Sequence, residues 1–69
     1  MPNDDLLKMT VAASKFGWTV PVAEAEWPQT LIHDDTEWTK DEMTLAGNGE
    51  VQCVNYTDGK ENWLVVWNE

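Results

Sequence analysis

Arginine is absent from this 69-residue sequence, which sets four lysines against thirteen aspartates and glutamates and holds one cysteine. Without arginine the chain lacks the side chain that reads guanine bidentately, and four lysines supply little of the counterion release that drives phosphate binding. A net charge of −9 and a pI near 4.2 repel nucleic acid and anionic membranes alike. Direct DNA or RNA binding and membrane association are therefore not expected. Cys53, standing alone, excludes an intrachain disulfide and any C-x-x-C zinc spacing, and it fits a reducing compartment. The opening MPNDDLLKMT has neither a basic n-region nor an apolar h-region, and no run reaches the roughly 18 apolar residues of a membrane span. The expectation is a cytoplasmic protein.

What is present fits one small folded domain spanning residues 1–69, with 42% hydrophobic residues and 25% charged. A core of this size rarely supplies more than about 3–5 kcal/mol, so a partner is a natural source of further stability. Leu6, Met9, Ala13 and Phe16 recur at helical spacing, which predicts a helix over 4–16. Asn3 or Asp4 would cap it, and Gly17 would end it in a left-handed conformation. Thr10 and Val11 are indifferent helix formers, which leaves a short strand at MTVAA as the alternative.

The last third reads as β structure. EVQCVNY (50–56) and NWLVVWN (62–68) flank Thr-Asp-Gly-Lys, and Asp58-Gly59 is a strong two-residue hairpin signal. That loop would set Val54 opposite Trp63, Cys53 opposite Leu64 and Val51 opposite Val66, leaving both faces apolar. Residues 41–47 would add a third strand through the Asn48-Gly49 turn. The rival is a two-turn helix over 40–46, capped at Thr39. The resulting expectation is an α+β fold: an N-terminal helix packed on a small antiparallel sheet, a three-stranded meander over 42–68 that ends in the 50–56/62–68 hairpin. Between helix and meander, residues 19–42 form an irregular acidic segment broken by Pro21 and Pro28, with short edge strands near 19–23 and 30–33.

That acidic segment is the candidate functional surface. Residues 24–42 hold Glu24, Glu26, Asp34, Asp35, Glu37, Asp41 and Glu42 against Lys40 alone, a net −6, while the other fifty residues carry −3. Trp27 and Trp38 are interleaved with them; small proteins bury such side chains in the core, but aromatic side chains ringed by charge are also typical interface anchors. Trp18, Trp63 and Trp67 are expected in the core, and Cys53 as a buried structural thiol. His33-Asp34-Asp35-x-Glu37 gathers metal-ligand types, but it has neither the ladder of an EF-hand nor a zinc set, so no metal or other cofactor is expected. One Cys, one His and no Gly-x-Ser-x-Gly or phosphate loop argue against an enzyme.

These features together predict a non-enzymatic inhibitor whose carboxylates stand in for phosphates at a basic, nucleic-acid-binding site of a partner protein. Phage inhibitors and nuclease antitoxins work in this way. Two other classes remain. The apolar hairpin could serve an accessory or assembly module, with Val51, Leu64 and Val66 as a homodimer seam, or the acidity could mark a salt-adapted structural domain.

Overall fold

Alternation of side chains along the last two strands builds the centre of the molecule. Val54, Tyr56, Leu64 and Val66 are fully buried, while Asn55 and Val65 between them turn to the opposite side. The computed structural model describes residues 8–69. Five strands run in order: β1 (Lys8–Ala12), β2 (Thr30–His33), β3 (Thr36–Leu45), β4 (Val51–Thr57) and β5 (Trp63–Trp67). They form one curled sheet, a half-barrel in the order β1-β5-β4-β3-β2. β1 lies parallel to β5, and every other neighbouring pair is antiparallel. Ala13–Phe16 and Glu24–Glu26 are single 3-10 turns. The core fills the inside of the curl, where Ala13, Val22, Trp27, Leu31, Trp38 and Val51 join the four central residues.

The α+β expectation is overturned, since the described residues contain no α-helix. Residues 4–7 of the expected helix lie outside the described residues, and its remainder is β1 followed by a 3-10 turn. The strand alternative is what forms, one residue earlier than MTVAA, at Lys8–Ala12. Met9, Val11 and Ala13 carry a second apolar period, of two, beside the helical one. Docking on β5 lets Met9 and Val11 sit beside Leu64 and Val66, where the β-branched Val11 is favoured. Gly17 does take a left-handed φ of 77°, and its N–H donates to the Ser14 carbonyl at 2.9 Å, closing the 3-10 turn.

The meander is larger than the expected three strands over 42–68. β3 begins at Thr36 and runs on through residues 40–45, so the rival helix does not form, and β2 adds the expected strand at 30–33. Residues 19–23 are not a strand and contain the cis Val20–Pro21 peptide. The link from β3 to β4 is a turn in which the Gly49 N–H donates to the Ala46 carbonyl at 3.0 Å, with Gly49 at φ 89°. That is the three-residue loop with a terminal left-handed glycine rather than a two-residue Asn-Gly turn.

The C-terminal hairpin forms in a different register. Val54 pairs with Val66 and Cys53 with Trp67, and residues 58–62 make the loop. The Asp58 carboxylate explains the longer connection. It accepts the Lys60 N–H at 2.8 Å, the Asn62 N–H at 3.4 Å and the Asn62 side-chain amide at 2.7 Å, while Thr57 Oγ1 accepts the Gly59 N–H at 3.1 Å. Those bonds hold the Asp58 carboxyl below its ordinary range, the Lys60 N–H being the largest cause. A register shift by an odd number re-sorts the faces: Val54, Tyr56, Leu64 and Val66 point inward, and Cys53, Trp63, Val65 and Trp67 outward. Val51 joins the inward set because a bulge at Gln52 reverses the alternation. The expected seam of Val51, Leu64 and Val66 is thus core.

The irregular segment is fastened to this sheet by polar side chains. The Tyr56 hydroxyl donates to the Pro28 carbonyl at 2.7 Å, and burial pushes its pKa up to about 12. Asn68 brackets Val22: its amide donates to the Val22 and Val51 carbonyls at 3.1 and 3.2 Å, and its side-chain oxygen accepts the Val22 N–H at 3.0 Å. None of the described helical turns is long and apolar enough to cross a membrane.

Candidate functional site

The nine residues singled out in the sequence divide into two sets. Trp27 and Trp38 are only 3% and 2% exposed, so they are core side chains and not surface anchors. Each indole N–H is satisfied at home, Trp27 donating to the Val22 carbonyl at 3.2 Å and Trp38 to the His33 carbonyl at 3.1 Å. Trp27 also meets Trp18 edge-on at 5.5 Å, and Phe16 stacks on Trp18 at 4.8 Å. The tryptophans therefore staple the acidic segment to the sheet.

All seven acids of the segment are exposed. Glu24 and Glu26 lie on the second 3-10 turn, and Asp34 and Asp35 form the two-residue loop between β2 and β3. Asp34 and Asp35 both take left-handed backbone, φ 54° and 61°, as a type I′ turn requires. Aspartate tolerates that region better than most residues, so this acidic pair also has a backbone reason to be there. Glu37, Asp41 and Glu42 follow along β3. Glu37 pairs with Ile32, which is 65% exposed. Between Lys40 and Glu42 the pairing with β4 shifts by one, leaving Asp41 as the extra residue of a β-bulge.

Lys40, the only cation in the segment, is turned away from the carboxylates. Its ammonium lies 3.5 Å from the Trp27 carbonyl, and its backbone N–H donates to the Gln29 carbonyl at 2.7 Å. Among the described residues His33 Nε2 lies 3.6 Å from Asp34 Oδ2, a pair that is ionic only when the imidazole is protonated. The carboxylates of 24–42 are otherwise uncompensated and project a negative field outward. Among the described residues no three His, Cys, Asp or Glu side chains are grouped to hold a metal ion.

The outer side of the sheet carries residues that sequence reasoning assigned elsewhere. Trp67 is 42% exposed, Trp63 and Val65 are half-buried beside it on β5, and Cys53 is half-buried opposite Trp67. A groove of about 280 Å³ on this side is lined by Lys8, Asp41, Glu42, Asn55, Trp63 and Val65. The alternation of NWLVVWN marked two apolar sets. Which set faced out depended on the turn, which the Asp58 carboxylate decides.

No family model, curated protein or solved structure matches this chain.

Proposed function

We propose that the chain is a non-enzymatic acidic protein that binds a basic, nucleic-acid-binding protein of the cytoplasm and occupies the site where that partner would hold phosphates. One observation carries the reading: seven carboxylates in residues 24–42 are exposed, and the one lysine among them is directed at a backbone carbonyl. Such a surface offers complementary potential and fast association to a basic cleft. Trp27 and Trp38 contribute by holding this surface in shape, not by inserting into the partner.

Affinity capture from host lysate, eluted by a salt gradient and then by competing duplex DNA or RNA, tests it. The expected result is a basic nucleic-acid-binding protein that elutes with salt or with nucleic acid and is lost on Glu37→Lys with Glu42→Lys. Reversal is confined to β3 because Asp34 and Asp35 also serve the turn. Retention that resists salt, is indifferent to nucleic acid and survives these reversals overturns the reading. That result would favour a second one, an assembly module that docks through the outer side of β5, which the exposure of Trp67 supports.

A further inference from the structure

The bulge at Asp41 sets two adjacent carboxylates against an aromatic floor. Register across the sheet gives two outward rows: Lys8, Trp63, Thr57 and Thr39 in one, and Thr10, Val65, Asn55 and Glu42 in the next. In a regular strand Asp41 and Glu42 would point to opposite sides. With Asp41 as the inserted residue, both line the same groove as Trp63 and Val65. Bulges commonly re-aim a side chain beside a functional site.

We propose that this groove receives a single lysine or arginine side chain of the basic partner, its alkyl stem along Val65 and Trp63 and its cationic end between Asp41 and Glu42. The proposal rests on the acidic-surface reading and names the contact that gives that surface specificity. Lysine and arginine have an apolar stem and a charged head, which matches an apolar floor with an acidic rim. The Trp63 ring adds the cation–π attraction that a carboxylate cluster alone lacks. At about 280 Å³ the groove lies just under the roughly 300–1,000 Å³ range of small-molecule pockets, a size suited to one long side chain. An anion is excluded by Asp41 and Glu42, and a purely apolar occupant would strip water from both carboxylates without replacing it. A second copy brings its own net charge of −9 and is repelled.

Lys8 stands at the far rim. β5 and β4 separate its strand from β3, and Lys8 lies in the row of Thr39 rather than that of Glu42. No ion pair joins it to either carboxylate. It therefore leaves the acidic rim open and repels an incoming cation from beside Trp63.

The test is a titration of the ¹⁵N-labelled chain at low salt with capped hexa-arginine, with hexa-citrulline as the uncharged control, following the five indole N–H signals and the Asn55 side-chain amide. Trp63 and Asn55 are expected to shift, while the buried Trp27 and Trp38 stay in place. Asp41→Asn with Glu42→Gln is expected to weaken binding about tenfold or more, against about twofold for Glu50→Gln with Glu61→Gln, which removes the same charge elsewhere. Lys8→Gln is expected to tighten binding about threefold, and more than Lys15→Gln. If hexa-arginine binds but the two double substitutions weaken it equally and Trp63 does not shift, the groove is overturned and the acidic-surface reading stands. If hexa-arginine does not bind at low salt, both fail.

Discussion

The molecule contains two hairpins with aspartate in the turn, and they use it in opposite ways. In the central hairpin, β4 to β5, the Asp58 carboxylate is consumed by the loop, accepting bonds from Lys60 and Asn62. In the edge hairpin, β2 to β3, Asp34 and Asp35 serve the turn through left-handed backbone, and their carboxylates face solvent. The difference shows how an acidic residue can be structural without its charge being spent. Asp58 keeps its charge but commits its oxygens to the loop, whereas Asp34 and Asp35 build their turn with backbone and leave their carboxylates exposed.

The two hairpins also differ in what they bury, and the largest expected effect comes from there. Leu64→Ala in the central hairpin should cost about 2–5 kcal/mol, comparable with the whole stability of a domain this size, whereas Ile32→Ala on the exposed side of the edge hairpin should change the melt little. Thermal unfolding followed by far-UV circular dichroism checks both. Leu64 is thus unsuited to probing docking, since a charge placed there would unfold the chain before testing any partner.

Next in size is Tyr56→Phe, which removes the bond to the Pro28 carbonyl and should cost about 1 kcal/mol. Because the folded pKa of Tyr56 is raised to about 12 from 10.0, its contribution is intact below pH 10 and is lost as pH rises through about 12. Tyr56 is the sole tyrosine, so tyrosinate absorbance reports it alone; ionisation near pH 10 in the folded chain would contradict its burial.

A smaller effect of opposite sign is expected at the edge turn. Asp34→Asn with Asp35→Gly suits a type I′ loop better and should raise stability by up to about 1 kcal/mol while removing two charges. A melt that falls instead would mean that these carboxylates, not their backbone, hold the turn. The smallest effect is at Asp58 itself. Its folded pKa is depressed below 3.8, so its contribution is full above that value and disappears as pH falls through the folded one. Asp58→Asn should therefore flatten the acid limb of the pH–stability curve, which acid titration at fixed temperature would reveal.

The sequence made the strand content of 50–67 and the edge strand at 30–33 legible, because β-branched and aromatic residues cluster there between turn signals. It misled at residues 8–16, where the same apolar residues satisfy a helical spacing through Met9, Ala13 and Phe16 and a strand spacing through Met9, Val11 and Ala13. Only the presence of β5 as a partner decides between them. It misled at Asp58-Gly59 because the dipeptide favours a tight turn, while a carboxylate able to reach Asn62 favours a longer one. The acidic surface could be read from charge counts alone. The burial of Trp27 and Trp38 was one of two readings the sequence allowed, decided by carbonyls at Val22 and His33 that folding brings to them. The groove was hidden, because a one-residue bulge leaves no compositional mark.

The parallel pairing of β1 with β5 sets the order of assembly. Lys8 lies beside Trp63, so the first described strand depends on one that is synthesised more than fifty residues later. The three hairpin-linked pairs from β2 to β5 can close locally as each strand emerges, but β1 has no partner until β5 has left the ribosome. Such long-range closure puts folding in a slower regime, on the order of milliseconds to seconds, than the microseconds open to a small helical bundle. Until then Met9 and Val11 remain exposed, and the hydrophobic liability falls on the earliest made of the described strands.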